Sequence, residues 1–262
     1  MKIIKIPFDK GGFGKSEGAR FAPERISKYL KEMAESTSNK IKVSYDDVVL
    51  NQSNVLECHK RIERKIFEDG PKAIVLGGDH SITYSCVKGF AKHKKDFCLI
   101  VFDAHPDLIK DFSPPTHESY LRALIEEKIV KPKNVLIVGI RNSDELEESY
   151  ILKKKINCIY AKEFLEQGIK VISEKIEDFC KNRKKPVYFS IDIDAIDPIE
   201  AMGTGYIEFG GILSRELFYV IDKIKDTGLI EICDIVEINP KKDFNDITCI
   251  LGAKLALSLT DI

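Results

Sequence analysis

Short apolar segments recur along the chain, each bounded by turn-forming residues and followed by a longer segment with helical spacing. The segment 97–102 reads Phe-Cys-Leu-Ile-Val-Phe without a polar residue, which is typical of a strand buried on both faces. Strands that alternate with helices build βαβ units with parallel strands. The predicted strands are 2–6, 42–48, 73–76, 97–102, 135–140, 156–159, 187–191 and 231–236. The alternation predicts an α/β fold, a three-layer α/β/α sandwich with a central, mostly parallel sheet of about eight strands.

The segments between these strands repeat apolar residues every three or four positions, as amphipathic helices do. The first of them opens with Pro23, which suits the first turn of a helix. The predicted helices are 22–30, 81–95, 117–129, 171–183, 214–227 and 248–259. Because no internal repeat and no wide Pro/Gly/Ser linker divides the chain, we predict one domain over residues 1–262.

The charge balance excludes several classes of partner. The 262 residues include 41 basic and 42 acidic ones, which gives no electrostatic reason to expect nucleic-acid or membrane-surface binding. No stretch approaches the roughly 20 apolar residues of a membrane span. The seven cysteines are scattered and never form a C-x-x-C pair, which indicates reduced thiols. These features predict a cytoplasmic protein whose specificity comes from a local site.

Polar residues gather just after three of the predicted strands. They form the segments 77–81 (Gly-Gly-Asp-His-Ser), 103–107 (Asp-Ala-His-Pro-Asp) and 190–198 (Ser-Ile-Asp-Ile-Asp-Ala-Ile-Asp-Pro). In an open parallel sheet the carboxyl ends of the strands lie along one edge, where ligand sites form. We therefore expect the three segments to contribute to one site.

The residue types in these segments indicate a metal centre. Crowded, partly buried carboxylates repel one another and lose hydration unless cations neutralise them. A set of imidazole and carboxylate ligands without thiolate favours Mn²⁺ over Zn²⁺. Six potential ligands are too many for one tetrahedral ion but can hold two ions if some carboxylates bridge. The candidate ligands are His80, Asp103, His105, Asp107, Asp192 and Asp194.

The three segments resemble motifs of the ureohydrolase superfamily, which includes arginase and agmatinase. The family patterns GGDHS, DAHxD and SxDxDxxDP occur here as 77–81, 103–107 and 190–198, in the family's order. The segments 13–24, 138–141, 203–205 and 236–240 resemble further family motifs. The resemblance therefore covers nearly the whole chain and implies an arginase-like fold, most like that of an agmatinase.

This resemblance implies a pair of manganese ions. Carried over residue by residue, it assigns one ion to His80, Asp103, Asp107 and Asp192, and the other to Asp103, His105, Asp192 and Asp194. The two cations would ionise a shared water, and the resulting hydroxide would attack the guanidinium carbon of the substrate. Asp107 would orient that hydroxide. The expected products are urea and an amine.

Two further residues match catalytic positions of the family. Glu237 corresponds to the glutamate that receives the guanidinium, and a carboxylate suits this role because it accepts paired hydrogen bonds from a planar N–H fork. His117 corresponds to the histidine that binds substrate and shuttles protons, since imidazole exchanges protons near neutral pH. Glycine follows this histidine in many relatives, whereas this chain has Glu118, which could border a polyamine pocket or cap a helix.

The resemblance also bears on the substrate. Ile109 occupies the place of an asparagine that holds the α-amino acid group in arginases, although Lys110 could still reach a carboxylate. Tyr206 replaces threonine in the G-T-G-T-P loop and would narrow the pocket. We therefore predict hydrolysis of agmatine to putrescine and urea. The alternatives are arginase, guanidinobutyrase or formiminoglutamase activity.

Two hypotheses from other classes remain open. A metal-binding, non-catalytic family member would bind a ligand without turnover, but the complete set of ligands and proton-transfer groups argues against it. A deacetylase-like amidohydrolase would normally use a single zinc ion rather than a bridged pair. Relatives form homo-oligomers, commonly trimers or hexamers, so we expect a homo-oligomer here, although no motif specifies an interface.

Overall fold

The computed structural model describes residues 1–12, 14–37, 40–110 and 113–260. Its strands are β1 (Lys2–Lys5), β2 (Ser44–Asp47), β3 (Ala73–Leu76), β4 (Cys98–Phe102), β5 (Val135–Ile140), β6 (Asn157–Tyr160), β7 (Val187–Asp192) and β8 (Ile230–Val236). Its α-helices are α1 (Ala22–Ser36), α2 (Val55–Asp69), α3 (Ile82–Ala91), α4 (Tyr120–Glu126), α5 (Glu145–Lys154), α6 (Ala161–Arg183), α7 (Ser214–Lys225) and α8 (Ile247–Ser258).

The strands form one eight-stranded sheet in the order β2-β1-β3-β8-β7-β4-β5-β6. Every neighbouring pair is parallel. Each strand overlaps its predicted range. The central strands such as β4 are continuous apolar runs, as expected for a doubly covered sheet, whereas the edge strand β2 is Ser-Tyr-Asp-Asp and has no buried residue. The predicted α/β fold with an eight-stranded, arginase-like parallel sheet is confirmed.

Helices cover both faces of the sheet. Successive residues of β4 point to opposite sides, so Ile100 and Phe102 pack in one hydrophobic cluster while Leu99 and Val101 pack in the other. The first cluster includes residues of α1, α6, α7 and α8, and the second includes residues of α2, α3, α4 and α5. This arrangement is the predicted three-layer sandwich.

Two helices and parts of two others were not predicted from the apolar spacing. One of these parts is 31–36, the second half of α1. Helix α5 buries only Glu147, Tyr150 and Ile151, so its sequence lacks a continuous apolar stripe. Helix α2 was also missed, although its buried residues follow helical spacing. Helix α6 bends at Gly168, where φ is +79°, so the predicted range 171–183 covers only the part beyond the bend.

The topology brings four strand ends together in the middle of the sheet. Strands β3, β8, β7 and β4 are consecutive neighbours, and the three polar motifs and Glu237 stand at or just beyond their carboxyl ends. The motif after β3 passes so close to the chain at Phe8 that a Cβ on Gly78 would lie 1.8 Å from the Phe8 carbonyl oxygen. Only glycine fits there. Among the described residues, no helix is both long and apolar enough to cross a membrane.

Candidate metal and substrate site

The six predicted ligands converge from the ends of three strands in the middle of the sheet, of which β7 and β4 are neighbours and β3 is separated from β7 by β8. His80 follows β3, the residues Asp103, His105 and Asp107 follow β4, and Asp192 and Asp194 lie at the end of β7. All except His105 are buried. We call these six residues the donor cluster.

One half of the donor cluster surrounds the Nδ1 atom of His80. This atom lies 3.1 Å from an Asp103 oxygen, 3.2 Å from an Asp107 oxygen and 3.0 Å from an Asp192 oxygen. It makes no hydrogen bond to any residue in the described part of the chain. A buried nitrogen facing three carboxylates without hydrogen-bond geometry is the arrangement expected of ligands around a cation.

The other half surrounds His105. Its Nδ1 atom lies 3.1 Å from an Asp194 oxygen and 3.5 Å from Asp103. Asp103 faces His80 with Oδ2 and His105 with Oδ1, as a bridging carboxylate would. The Oδ1 atom of Asp192 accepts the backbone N–H of Asp194, so the contacts place Asp192 mainly beside His80. Bridging by Asp192 stays a prediction.

A buried chain of hydrogen bonds orients the imidazole ring of His80. Ser190 donates its hydroxyl hydrogen to Asp234 at 2.6 Å, so its oxygen can only accept from the Nε2 atom of His80, 3.0 Å away. Asp234 also accepts from Tyr188 and Thr83. Protonation at Nε2 leaves a lone pair on Nδ1, the atom that faces the carboxylates. Ser190 lies in one of the sequence motifs, but the sequence analysis assigned no role to Ser190 or to Asp234.

The charges of the donor cluster favour the binding of cations. Burial raises the pKa of Asp107 to about 8, and the charge on Asp103 adds to this effect. Burial, with Asp194 and Asp103, also raises the pKa of Asp192 well above its ordinary value. Without a cation these carboxyls therefore bind protons to reduce their repulsion. The donor types, their convergence and this charge excess fit a pair of divalent ions.

Glu237 and His117 lie beside the donor cluster and contact each other. The Nδ1 atom of His117 is 3.2 Å from Glu237 Oε1, which also accepts the backbone N–H of His80 at 2.8 Å. Ser16 donates to Glu237 Oε2 at 2.7 Å and lies 3.4 Å from His117 Nδ1. Sequence reasoning missed Ser16, because its only signal is its place inside the N-terminal motif.

Electrostatics keeps this pair charged. Burial alone would lower the pKa of His117, but the adjacent Glu237 outweighs it and raises the pKa to about 9. Burial opposes ionisation of Glu237, yet hydrogen bonds from His117 and Ser16 hold its pKa below the ordinary value. The pair therefore presents a carboxylate beside a protonated imidazole near neutral pH.

Two of these residues have left-handed backbone conformations. The φ angles are +53° at Asp107 and +62° at Glu237, which side-chain-bearing residues rarely adopt. Such strain persists only where the surrounding structure holds it, and it concentrates at functional sites. At Glu237 a backbone hydrogen bond to Gly78 contributes to that hold.

A cavity of about 220 Å³ opens above these groups. Its lining includes seven of the eight predicted site residues, and Asp103 lies next to it through contacts with His80 and His105. On its solvent side lie three residues that we call the outer wall: Ile109, Glu118 and Tyr206. The rest of the lining is Asn142, Ser143, Asp144 and Glu147. Lys110 lines a neighbouring cavity with Arg122 and Glu126 instead.

A third group of potential ligands lies elsewhere and has other partners. The carboxylate of Asp243 accepts the backbone N–H groups of Thr248 and Cys249 at the start of α8. Asp246 binds Arg25 and Tyr29. These hydrogen bonds and ion pairs explain why the three residues lie together: they stabilise the start of α8 and its contact with α1.

Comparisons with known proteins agree with this geometry. Residues 1–260 match the arginase family. An arginase of Staphylococcus aureus (strain COL) is 33% identical over 231 residues, which cover 82% of this chain and 74% of that protein. Among solved structures, an arginase from Bacillus subtilis has a TM-score of 0.89 at 28% identity and covers 100% of this chain and 98% of its own.

A solved formimidoylglutamase from Bacillus subtilis has a TM-score of 0.90 at 25% identity, with 100% of this chain and 88% of that chain covered. These three relatives are thus two arginases and a formimidoylglutamase by name. They support the predicted family. They do not support the narrower prediction of an agmatinase, because the family motifs describe the chemistry at the metals and not the far end of the substrate.

Proposed function

This chain belongs to the arginase family and is a ureohydrolase acting on linear amidines, and we propose that it hydrolyses a guanidino compound to urea and an amine. The observation that carries this proposal is the position of the Glu237–His117 pair directly beside the donor cluster. A guanidinium held by Glu237 would have its carbon next to the metal ligands.

We propose two Mn²⁺ ions as the cofactors. His80, Asp103, Asp107 and Asp192 would hold one, and Asp103, His105, Asp192 and Asp194 the other. When bound, such a pair supplies ionised water at neutral pH. The chain supplies the rest: Asp107 orients the nucleophile, and Ser190 keeps the Nδ1 lone pair of His80 available as a ligand.

Glu237 and His117 would bind the substrate and move the proton. The two oxygens of Glu237 are fixed by His80, His117 and Ser16, so the carboxylate is already oriented before the guanidinium arrives. His117 holds one proton on Nδ1 against Glu237. Because its pKa is raised to about 9, it can also carry a proton on Nε2 for the departing amine.

Agmatine is our first candidate substrate and arginine the second. No lysine or arginine appears among the described residues that line the cavity, so a substrate carboxylate would lack a cationic partner there. Ile109 also replaces a polar side chain with an apolar one. The names of the relatives favour arginine. Guanidinobutyrate and formiminoglutamate rank below both because each ends in a carboxylate without the ammonium group that accompanies it in arginine.

A urea-release assay tests the proposal. The protein is stripped of metal, reloaded with Mn²⁺ and incubated with agmatine, arginine and guanidinobutyrate, while formiminoglutamate is tested in parallel for formamide release. We expect urea from at least one guanidine and manganese bound at a ratio of about two per chain. Metal binding without turnover of any compound would instead support a binding protein.

We further propose that residues 1–262 form one catalytic domain, since one sheet takes strands from Lys2 to Val236. Assembly into a trimer or hexamer remains a prediction for measurement in solution.

A further inference from the structure

The outer wall is held together by a contact between two separate loops. The hydroxyl of Tyr206, in the loop after β7, donates to Glu118 Oε1 at 2.9 Å. Glu118 belongs to the loop between β4 and α4, where its carbonyl accepts the N–H of Ile109. Tyr206 and Glu118 are both departures from the family motifs.

Tyr206 stands against His105 and His117. Its ring centroid lies 5.5 Å from that of His105 and 5.7 Å from that of His117. The ammonium of Lys15 lies 4.2 Å from the ring centroid, but Lys15 does not line the cavity. The ring therefore forms one side of the pocket and fixes the position of the carboxylate that it bonds.

Glu118 and Glu237 occupy opposite sides of one imidazole. Glu237 contacts His117 at Nδ1, whereas Glu118 lies 3.8 Å from His117 at Nε2. About a third of the Glu118 side chain is exposed, and it retains acceptor capacity beyond its bond to Tyr206. Outside the donor cluster, four acidic residues line the pocket: Glu118, Asp144, Glu147 and Glu237. Asp144 and Glu147 accept backbone N–H groups around the start of α5. Glu237 lies at the proposed guanidinium position, and Glu118 lies farther along the wall with the apolar Ile109 beside it.

We propose that Glu118, positioned by Tyr206, is the specificity-determining residue of this pocket and binds the terminal ammonium of an aminoalkyl guanidine. Glu237 binds the cation at one end of such a substrate, Glu118 binds the cation at the other, and Ile109 packs against the methylene chain. A substrate that ends in a carboxylate places like charges together and is disfavoured. This inference rests on the proposed hydrolysis of guanidines.

Two substitutions test it. Glu118→Gln keeps an oxygen that can accept from Tyr206 and removes only the charge, and Tyr206→Phe keeps the ring and removes the hydroxyl. Glu166→Gln on the exposed face of α6 is the matched control. Each protein is assayed with agmatine, arginine and 4-guanidinobutyrate. Any effect of Glu118 on His117 is common to all three substrates and cancels in their ratio of kcat/KM.

We expect wild type to prefer agmatine over 4-guanidinobutyrate. Glu118→Gln should raise KM for agmatine about tenfold with a smaller change in kcat, and leave 4-guanidinobutyrate unchanged or improved. Tyr206→Phe should raise KM for agmatine by a smaller factor, and Glu166→Gln should leave it unchanged. A wild-type preference for 4-guanidinobutyrate, or an equal change for every substrate in Glu118→Gln, would overturn the inference.

A binding measurement separates this inference from the proposed reaction. Calorimetric titration of the manganese-loaded protein with 1,4-diaminobutane reports ammonium binding without turnover. We expect Glu118→Gln to weaken that binding about tenfold. If no guanidine is hydrolysed but this loss is seen, the proposed reaction fails while ammonium recognition by Glu118 stands. Unchanged diamine binding would refute the role of Glu118 whatever the activity.

Discussion

The donor cluster and the outer wall lie in the same pocket but are built differently. The six residues of the donor cluster stand at or just beyond the ends of three central strands and, apart from His105, are buried. Ile109, Glu118 and Tyr206 belong to two loops and are partly exposed. The strand ends are held by the sheet ladder, whereas the outer wall is held by loop contacts. The Tyr206–Glu118 hydrogen bond joins the two loops, and the Ile109–Glu118 hydrogen bond lies within one of them.

This difference suggests separate roles: the donor cluster serves the chemistry at the metals, and the outer wall serves substrate selectivity. Metal ligands must keep positions accurate to fractions of an ångström, which rigid strand ends provide. Residues that contact the far end of a substrate can change with little effect on the metals, because they lie on loops. Family motifs therefore describe the donor cluster, and the departures from those motifs lie in the outer wall.

The largest effect is expected from the donor cluster. Asp192→Ala removes a carboxylate 3.0 Å from His80 Nδ1, so at least one ion should be lost and turnover should fall about 10³-fold or more. Metal analysis and a urea assay measure both. Asp178→Ala, on the exposed face of α6, is the control. Retained metal and turnover in Asp192→Ala would remove the donor cluster from the mechanism.

His117 lies between the two regions and should show an intermediate effect. His117→Ala should lower kcat about 10²-fold because a proton carrier is lost, while manganese content stays at the wild-type level. The pH dependence of kcat should also lose the limb that reflects a pKa near 9. If manganese is lost as well, His117 belongs functionally with the donor cluster.

Ser16 should show a smaller effect, confined to substrate binding. Ser16→Ala removes the hydrogen bond to Glu237 Oε2, so the carboxylate loses orientation and KM should rise about tenfold. Steady-state kinetics and metal analysis distinguish this from damage to the metals. Ser36→Ala, in the exposed last turn of α1, provides the comparison. A change in kcat without a change in KM would contradict the role of Ser16 in substrate binding.

His59 shows how a buried histidine behaves without carboxylates around it. Burial lowers its pKa to about 4, and Nδ1 is bonded to Ser85. As pH falls from about 6.5 to 4 the unfolded chain binds a proton that the folded protein does not, so the free energy of unfolding decreases.

His59→Gln should weaken this acid dependence without altering turnover at neutral pH. Denaturant unfolding at pH 7 and pH 5 should show wild type losing about 1–2 kcal/mol more than the variant. His93→Gln, an exposed histidine, should follow wild type. If wild type and His59→Gln lose the same free energy of unfolding between pH 7 and pH 5, then His59 does not contribute to the acid dependence.

Much of the fold follows from local pattern. The predicted ranges overlap all eight strands, most clearly where a continuous apolar run such as 97–102 suits a doubly covered sheet. The edge strand β2 is polar and lies within the mixed segment 42–48. Helix α5 was missed because it buries few side chains, and α2 was missed although its pattern is regular. The motif residues predicted which side chains would meet, since they follow strands whose ends share one edge.

The sequence by itself determined the parallel α/β fold, the family and the identity of the candidate ligands, because strand burial and strand-end position are properties of short segments. The tertiary structure alone decided which groups orient those ligands. Ser190 reaches Asp234 across neighbouring strands, Ser16 meets Glu237 from 221 positions away, and Tyr206 meets Glu118 from 88 positions away. Such contacts leave no periodic signal, because they depend on how distant loops close over the end of the sheet.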